Sequence, residues 1–395
     1  MFLLYTPKYE LDRRIKNFQD ILKRQGIDGA MIIQNVDVFY FAGTMQRAHL
    51  FIPADGQPVL MVKRSFIRAK EESALENIVH LDSPKEMTAV LKSCGYGPFD
   101  TIGFELDVLP VAQYERYRKL FKETKIIDVS PYIRSLRMVK SPYELEIINE
   151  SAALNQEIYE FIRENMREGI TELELAGNVE AACRKRGHIG MLRLRGFNQE
   201  LGYGHLMSGS NLAVSSYFDG PTGGMGPDPS FPQSAGYKLI GKNEPVLVDY
   251  GFVHNGYIVD QTRIFCIGKL SDHLIHAYAA ARKIQESIKM SAKPGVTCAE
   301  LYGLALETAE ASGYGEHFMG YPERVSFIGH GVGLELDELP VIAAGVKTVL
   351  EEGMVLAVEP KFVFQDGAVG IENTFVVTAD GLKTLTIFDE DIIYI

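Results

Sequence analysis

Four carboxylates and one imidazole in the C-terminal half of the chain stand at spacings that suit the holding of cations: Asp249, Asp260, His330, Glu359 and Glu372. The segments 244–253 and 256–267 read as two strands, and His254, Asn255 and Gly256 between them form a strong hairpin-turn signal. A two-residue loop at His254-Asn255 sets Asp249 across from Asp260. A loop at Asn255-Gly256 pairs Asp249 with Thr262 and leaves it diagonal to Asp260. Either even-length loop puts both carboxylates on one face, because side chains alternate with period two. Their Cβ atoms then lie about 4.5–5.5 Å apart if opposed and about 7–8 Å apart if diagonal.

The construction recurs near the C-terminus, where strands around Glu359 and Glu372 flank Gln365, Asp366 and Gly367, and the odd spacing again places both acids on one face. Two such hairpins read as a duplicated half-site. Four carboxylates meeting in strands of Val, Leu, Ile and Phe repel one another and lose hydration, which drives unpaired acids to protonate. Lys and Arg do not match them in number, with Arg263 and Lys361 the nearest. Divalent cations resolve the conflict, and two ions about 3.5–4 Å apart suit bridging carboxylates. A neutral imidazole completes such a set, and Gly329-His330-Gly331 supplies it between residues that allow close backbone approach.

The elements that must position these groups lie in two predicted domains, 1–135 and 136–395, as a length of 395 residues favours. In the first, Leu11, Ile15, Phe18, Ile21 and Leu22 predict a helix that stops at Gln25-Gly26. Apolar runs at 30–33, 38–41, 50–52 and 59–62 predict strands, with a turn at 55–58. This α/β region carries no nucleophile motif and no cluster of metal ligands. The second domain opens on Ser141, Pro142 and Glu144, a capping box with proline at the first helical position. Residues 219–232 are the most Gly- and Pro-rich stretch and must be a loop, either a linker or a cover over substrate.

Composition narrows the function classes. With 46% hydrophobic and 23% charged residues the chain can bury a substantial core. A net charge of −12 without a basic stripe argues against nucleic acid. No run of about 18 apolar residues and no basic, then apolar, start at the N-terminus predicts a protein that is neither membrane-spanning nor secreted, hence cytoplasmic. Cys94, Cys183, Cys266 and Cys298 have no short spacing and are expected as reduced thiols.

The five residues and their settings resemble the pita-bread metallopeptidases: methionine and Xaa-Pro aminopeptidases, prolidases and the metal-free creatinase. The match lies in Val248-Asp249-Tyr250, Asp260 eleven residues on, Gly329-His330-Gly331, Glu359-Pro360 and Ile371-Glu372-Asn373. Residues 35–43 are similar to the N-terminal domain of creatinase and the proline-type peptidases, and 136–144 to the family's entry helix. The resemblance implies a creatinase-like α/β domain followed by a pita-bread α+β domain with pseudo-twofold hairpins. It also implies that Asp249 chelates one ion, Asp260 and Glu372 bridge two, and His330 and Glu359 hold the other, the metals being Mn, Co, Fe or Zn. A hydroxide between the ions would attack the scissile carbonyl of a short peptide, Glu359 would shuttle the proton, and Thr262 would support a ligating carboxylate. A homodimer is the assembly common among such relatives.

Two departures bear on substrate. Where the family carries two pocket histidines, this chain has Ser216, beside Tyr217, and Asp337. A donor to developing charge is worth about 3 kcal/mol, so Xaa-Pro cleavage is not implied as firmly as the metal site. His205, His254 and His317 are further imidazoles, and Arg193 and Arg195 either bind a substrate carboxylate or form ion pairs. The alternative function is a hydrolase or lyase acting on a small, cationic non-peptide at the same metal site, which Asp337 would suit. A non-catalytic binding module conflicts with five intact ligands.

Overall fold

The computed structural model describes residues 4–395. The chain divides into two compact units, one ending at Arg137 and the other running from Met138 to Ile395. In the first, the predicted helix spans Lys8–Gln25, burying Leu11, Ile15, Phe18 and Leu22 on one stripe. Strands β1 (Gly29–Ile32), β2 (Ala48–Pro53), β3 (Val59–Val62), β4 (Ile78–His80), β5 (Thr101–Phe104) and β6 (Lys125–Asp128) form one mixed sheet in the order β4-β3-β2-β1-β5-β6. Three of the predicted strands are present, but 38–41 is not one of them. It belongs to a helix, Asn35–Ala42, whose first turn is capped by the Gln34 side chain accepting from the Asp37 N–H. Val36, Val38, Tyr40, Phe41 and Ala42 are all buried. A short helix buried on nearly every side has no clear period to betray it, and its apolar residues 38–41 read equally as a buried strand.

The second unit starts with the helix Pro142–Asn165, whose capping box at Ser141 and Glu144 is formed on both sides. Its sheets comprise β7 (Gly204–Ser208), β8 (Val246–Tyr250), β9 (Phe252–His254), β10 (Tyr257–Val259), β11 (Thr262–Cys266), β12 (Phe327–Gly331), β13 (Glu338–Ala343), β14 (Val355–Val358), β15 (Lys361–Phe364), β16 (Gly367–Gly370), β17 (Asn373–Thr378) and β18 (Gly381–Thr384). Strands β11, β8 and β7 lie side by side in one sheet, and the order β13-β12-β14-β17-β18 makes another. The pairs β9–β10 and β15–β16 extend their hairpins as ribbons. Two helices, Asp272–Ser291 and Cys298–Ala311, bring Ala277, Ala281, Ile284, Ile288, Leu301 and Ala305 onto Leu356, Val358, Phe362 and Phe375 in one core. Burial of each larger aliphatic or aromatic side chain contributes about 1.5–3 kcal/mol. That core holds the hairpin strands still beneath the acids they carry. The four cysteines are free thiols, and no helix among the described residues is long and apolar enough to cross a membrane.

Two buried histidines make the fold acid-sensitive. Burial, with the Arg47 and Lys63 charges adding, pushes His49 down to about 4. Burial likewise takes His188 to about 4. Between about 4 and the ordinary 6.5 the unfolded chain binds protons at these rings that the folded chain refuses, so this stability is present above 6.5 and lost on acidification. Each ring removes about 2 kcal/mol by pH 5. Urea unfolding at pH 7.5 and 5.0 should show a marked fall in the midpoint, and His49→Gln should recover one share of it.

Candidate metal centre

The first hairpin turns at Asn255-Gly256, where φ is +45° and +87°, the doubly left-handed geometry of a two-residue turn that Asn-Gly suits. His254 pairs with Tyr257 beside it, and the same register continues to Asp249 opposite Thr262. Of the two registers open to the sequence, the structure therefore takes the diagonal one for Asp249 and Asp260. The second hairpin turns at Gln365-Asp366, with Lys361 opposite Gly370 and Val358 opposite Asn373. That register faces Glu359 directly toward Glu372. The two halves are thus not equivalent copies.

Short polar links join the hairpins. Thr262 and Glu372 exchange backbone hydrogen bonds at 3.3 Å. The Thr374 hydroxyl donates to Asp260 O and accepts from Asp260 N, both at 2.8 Å. Thr262 Oγ1 donates to Glu372 Oε2 at 2.7 Å, which orients the carboxylate. Strand β12 delivers His330 from the side, pairing it with Ala357. A Cβ at Gly329 would overlap Ala357 O and one at Gly331 would overlap Leu339 O, so the strands around His330 approach closer than a side chain permits. His330 Nδ1 lies 3.1 Å from the carbonyl oxygens of Gly331 and Leu336. Carbonyls only accept, so Nδ1 carries the hydrogen, and in the neutral ring Nε2 presents its lone pair. Nε2 faces Glu359 Oε1 at 3.6 Å and Asp260 Oδ2 at 4.0 Å.

Asp260, His330 and Glu372 each offer a ligand atom, and these lie within 4.8 Å of one another. Glu372 Oε1 is buried without a hydrogen-bond partner, an arrangement that calls for a cation. Burial and the Glu372 and Asp249 charges push Asp260 far above the ordinary carboxylate range. Burial does the same to Glu372, against the pull of Lys361. At His330 burial opposes charge, yet Asp337, Glu359 and Asp260 together hold it above the ordinary value. A divalent ion here would remove each of these conflicts, so the donor set fits one.

Lys361 was legible only as a nearby cation, yet it sits inside the cluster. Its Nζ is 2.7 Å from Glu359 Oε2, 3.0 Å from Glu372 Oε2 and 3.1 Å from Asp249 Oδ2. Burial disfavours the ammonium, but those three carboxylates override it and hold the group well above the ordinary lysine range. Asp249 is drawn below the carboxylate range, the Lys361 and His205 charges outweighing its burial. The signal was present in the spacing: residues 359 and 361 are two apart, and extended chain of period two sends both side chains to one side, here across the Glu359-Pro360 junction between β14 and β15.

The ligands open on a cavity of about 50 Å³ lined also by His205, Phe218, Thr222 and Asp337. Asp337 Oδ1 is 3.5 Å from His330 Nδ1. His205 stands opposite Asp249 on β7, and its buried Nε2 has no hydrogen-bond partner among the described residues. Ser216 and Tyr217 do not line this cavity. They line an adjoining one of about 450 Å³, and the Ser216 hydroxyl is committed to Pro232 O at 2.6 Å. Phe218 and, from the Gly/Pro-rich loop, Asp219, Gly220 and Pro221 border both cavities. His254 faces Glu150 and His317 bonds Val363 O, so neither reaches the centre. Arg195 lies 3.7 Å from the buried Glu335 carboxylate, an ion pair.

Thr262→Val removes the one hydroxyl that orients Glu372. Such support is worth about 10–100-fold in metal affinity, so titration with Mn²⁺ should show a loss of that size with the fold intact.

Residues 146–379 match Metallopeptidase family M24, and residues 14–139 match the Creatinase/Prolidase N-terminal domain. The chain is 27% identical to an Xaa-Pro dipeptidase of Pyrococcus furiosus, over 95% of this chain and 98% of that protein. It is 29% identical to an Xaa-Pro dipeptidase of Lactobacillus helveticus, over 96% and 98%. Among solved structures, an Xaa-Pro dipeptidase from Bacillus anthracis superposes with a TM-score of 0.83 at 25% identity, covering 98% of this chain and 100% of that one. The prolidase from Pyrococcus horikoshii does so at 0.81 and 26%, covering 96% and 100%.

Proposed function

Because the chain belongs to metallopeptidase family M24, we propose that it hydrolyses short peptides with a divalent cation, as an aminopeptidase or Xaa-Pro dipeptidase-like enzyme. Residues 136–395 form the catalytic domain in this reading and 1–135 the creatinase-like one. The observation that carries it is the convergence of Asp260, His330 and Glu372, with the orphaned Glu372 Oε1, on an accessible cavity. The names of the relatives support peptides as the substrate class.

A cation held there supplies Lewis acidity toward the scissile carbonyl and acidifies the attacking water. Oxygen and imidazole donors accept Mn, Co, Fe or Zn alike, with manganese the ion to try first. A second ion beside Asp249 would require Lys361 to leave its three carboxylates. Glu359, 5% exposed and with Oε1 facing the cavity side of His330, takes the proton of the attacking water and passes it to the leaving amine. His205 Nε2 offers a hydrogen bond to substrate in place of the imidazoles that Ser216 and Asp337 replace. The protein works in the cytoplasm as a homodimer in this reading.

Asp337 beside the cavity favours one second reading, a hydrolase or lyase acting on a small cationic molecule at the same site. The Mn²⁺- and Co²⁺-loaded protein, assayed against Xaa-Pro and Xaa-Ala dipeptides and tripeptides with a free amino terminus, separates the two. Hydrolysis of any of these peptides is expected. No turnover at full metal occupancy would transfer the case to the second reading. Asp337→His should raise Xaa-Pro cleavage relative to Xaa-Ala, and an unchanged ratio would remove position 337 from the pocket.

A further inference from the structure

We propose that the Lys361 ammonium permanently occupies the place of one of the two cations expected of this ligand set, so that each chain binds a single divalent ion. The inference rests on the metal-centre reading above and goes beyond it. Lys361 is fully buried, and its three N–H bonds meet three carboxylates, those of Asp249, Glu359 and Glu372. An ammonium has three donors, so the group is saturated where it stands.

The backbone is built to admit it. Lys361 lies opposite Gly370 on the neighbouring strand, and a Cβ at 370 would come 2.5 Å from Lys361 Cγ. The stem of the lysine therefore passes through the volume that any larger residue at 370 would fill. A Cβ there would also come 2.6 Å from Pro360 O and 2.8 Å from Lys361 Cα, so Gly370 serves the close approach of the two strands as well as the lysine stem.

The carboxylates divide themselves accordingly. Glu359 gives Oε2 to Lys361 and turns Oε1 toward His330 Nε2. Glu372 gives Oε2 to Lys361 and Thr262 and leaves Oε1 unpartnered. Asp260 makes no ion pair with Lys361 among the described residues and instead faces His330. One end of the cluster is thus complete, while the other, made of Asp260, His330, Glu372 Oε1 and Glu359 Oε1, remains open for a cation. Charge agrees: four carboxylates with one ammonium and one divalent ion leave a single negative charge, as do four carboxylates with two divalent ions and a hydroxide. Two divalent ions added to the ammonium would instead crowd three cations onto shared oxygens, with separations of about 4 Å or less.

The difference has a chemical consequence. An ammonium holds Asp249 and Glu372 in place by charge and hydrogen bonds but offers no vacant coordination site. Any polarisation of substrate by metal then falls to one ion alone, and Asp249 becomes a residue that positions Lys361.

Manganese stoichiometry of the full-length protein tests this. The protein is saturated with MnCl₂ and desalted, and metal per chain is read by elemental analysis and calorimetric titration. One ion per chain is expected, with the electron paramagnetic resonance spectrum of an isolated Mn²⁺ and no exchange-coupled pair. Lys361→Ala should take up a second ion and show the coupled spectrum. Two ions in the unaltered protein would overturn the proposal while leaving the metallopeptidase reading intact. No ion at all would overturn both. One ion in Lys361→Ala, with its circular dichroism unchanged, would also overturn it, because lysine would then not be what excludes the second cation. Should the alanine variant not fold, Lys361→Gln and the stoichiometry of the unaltered protein decide the matter in the same way.

Discussion

Replacing Glu359 by glutamine is expected to lower kcat for peptide hydrolysis by about 10²–10⁴-fold, the range that a positioned proton carrier supplies. Glutamine keeps the shape of the side chain and its acceptor oxygen can remain on Lys361, 2.7 Å from the present Oε2. What is lost is the second basic oxygen on the His330 side. Asp260, His330 and Glu372 still surround the cation position, so metal should still bind, more weakly for the loss of Glu359 Oε1, and at saturating Mn²⁺ KM should move only a few-fold. Steady-state kinetics and metal content must be read on the same preparation. A variant that keeps its metal and loses less than about tenfold in kcat would remove Glu359 from the proton path.

The largest stability effect is expected at Arg263. This side chain is fully buried, and all five of its N–H donors are used. Nε donates to Asp389 O, Nη1 to Thr262 O and Glu372 O, and Nη2 to the Asn373 side chain and Phe388 O. Methionine would fill much of the volume but satisfy none of those acceptors. Orphaned buried acceptors carry about 1–3 kcal/mol each before relaxation, and the net loss for Arg263→Met should reach about 3–5 kcal/mol. Urea unfolding measures it directly. Because two of the five acceptors are the backbone of Thr262 and Glu372, metal affinity should fall with stability. A change in unfolding free energy below about 1 kcal/mol would mean that water replaces the guanidinium and that the strand pairing with the Thr262 and Thr374 links is enough to join the two hairpins.

The two departures from the expected pocket lie at different distances from the metal-ligand cluster. Asp337 borders the ligand cavity and sets a negative charge beside it. Ser216 lies next door with its hydroxyl already engaged by Pro232 O, and residues 218–221 connect its cavity to the ligand cavity. His205 is the imidazole that faces the ligands, and its residue type alone could not separate it from His254 or His317, which point elsewhere.

The sequence by itself determined which acids share a face within each hairpin. Odd spacings of Asp249 with Asp260 and of Glu359 with Glu372 give a shared face for any even-length loop, because strand side chains alternate, and capping chemistry at Ser141 marks the opening of the second unit. Parity says nothing of neighbours, however. Only the assembled structure chose the Asn255-Gly256 turn, and with it the diagonal placement of Asp249, and only there did residues 35–42 become a helix. The Lys361 ammonium among the acids is likewise a tertiary fact, since it depends on two hairpins and a glycine on the facing strand arriving together. Local patterning sets the direction in which a side chain leaves the backbone, whereas the atoms it finds there are set by packing between segments distant in the chain.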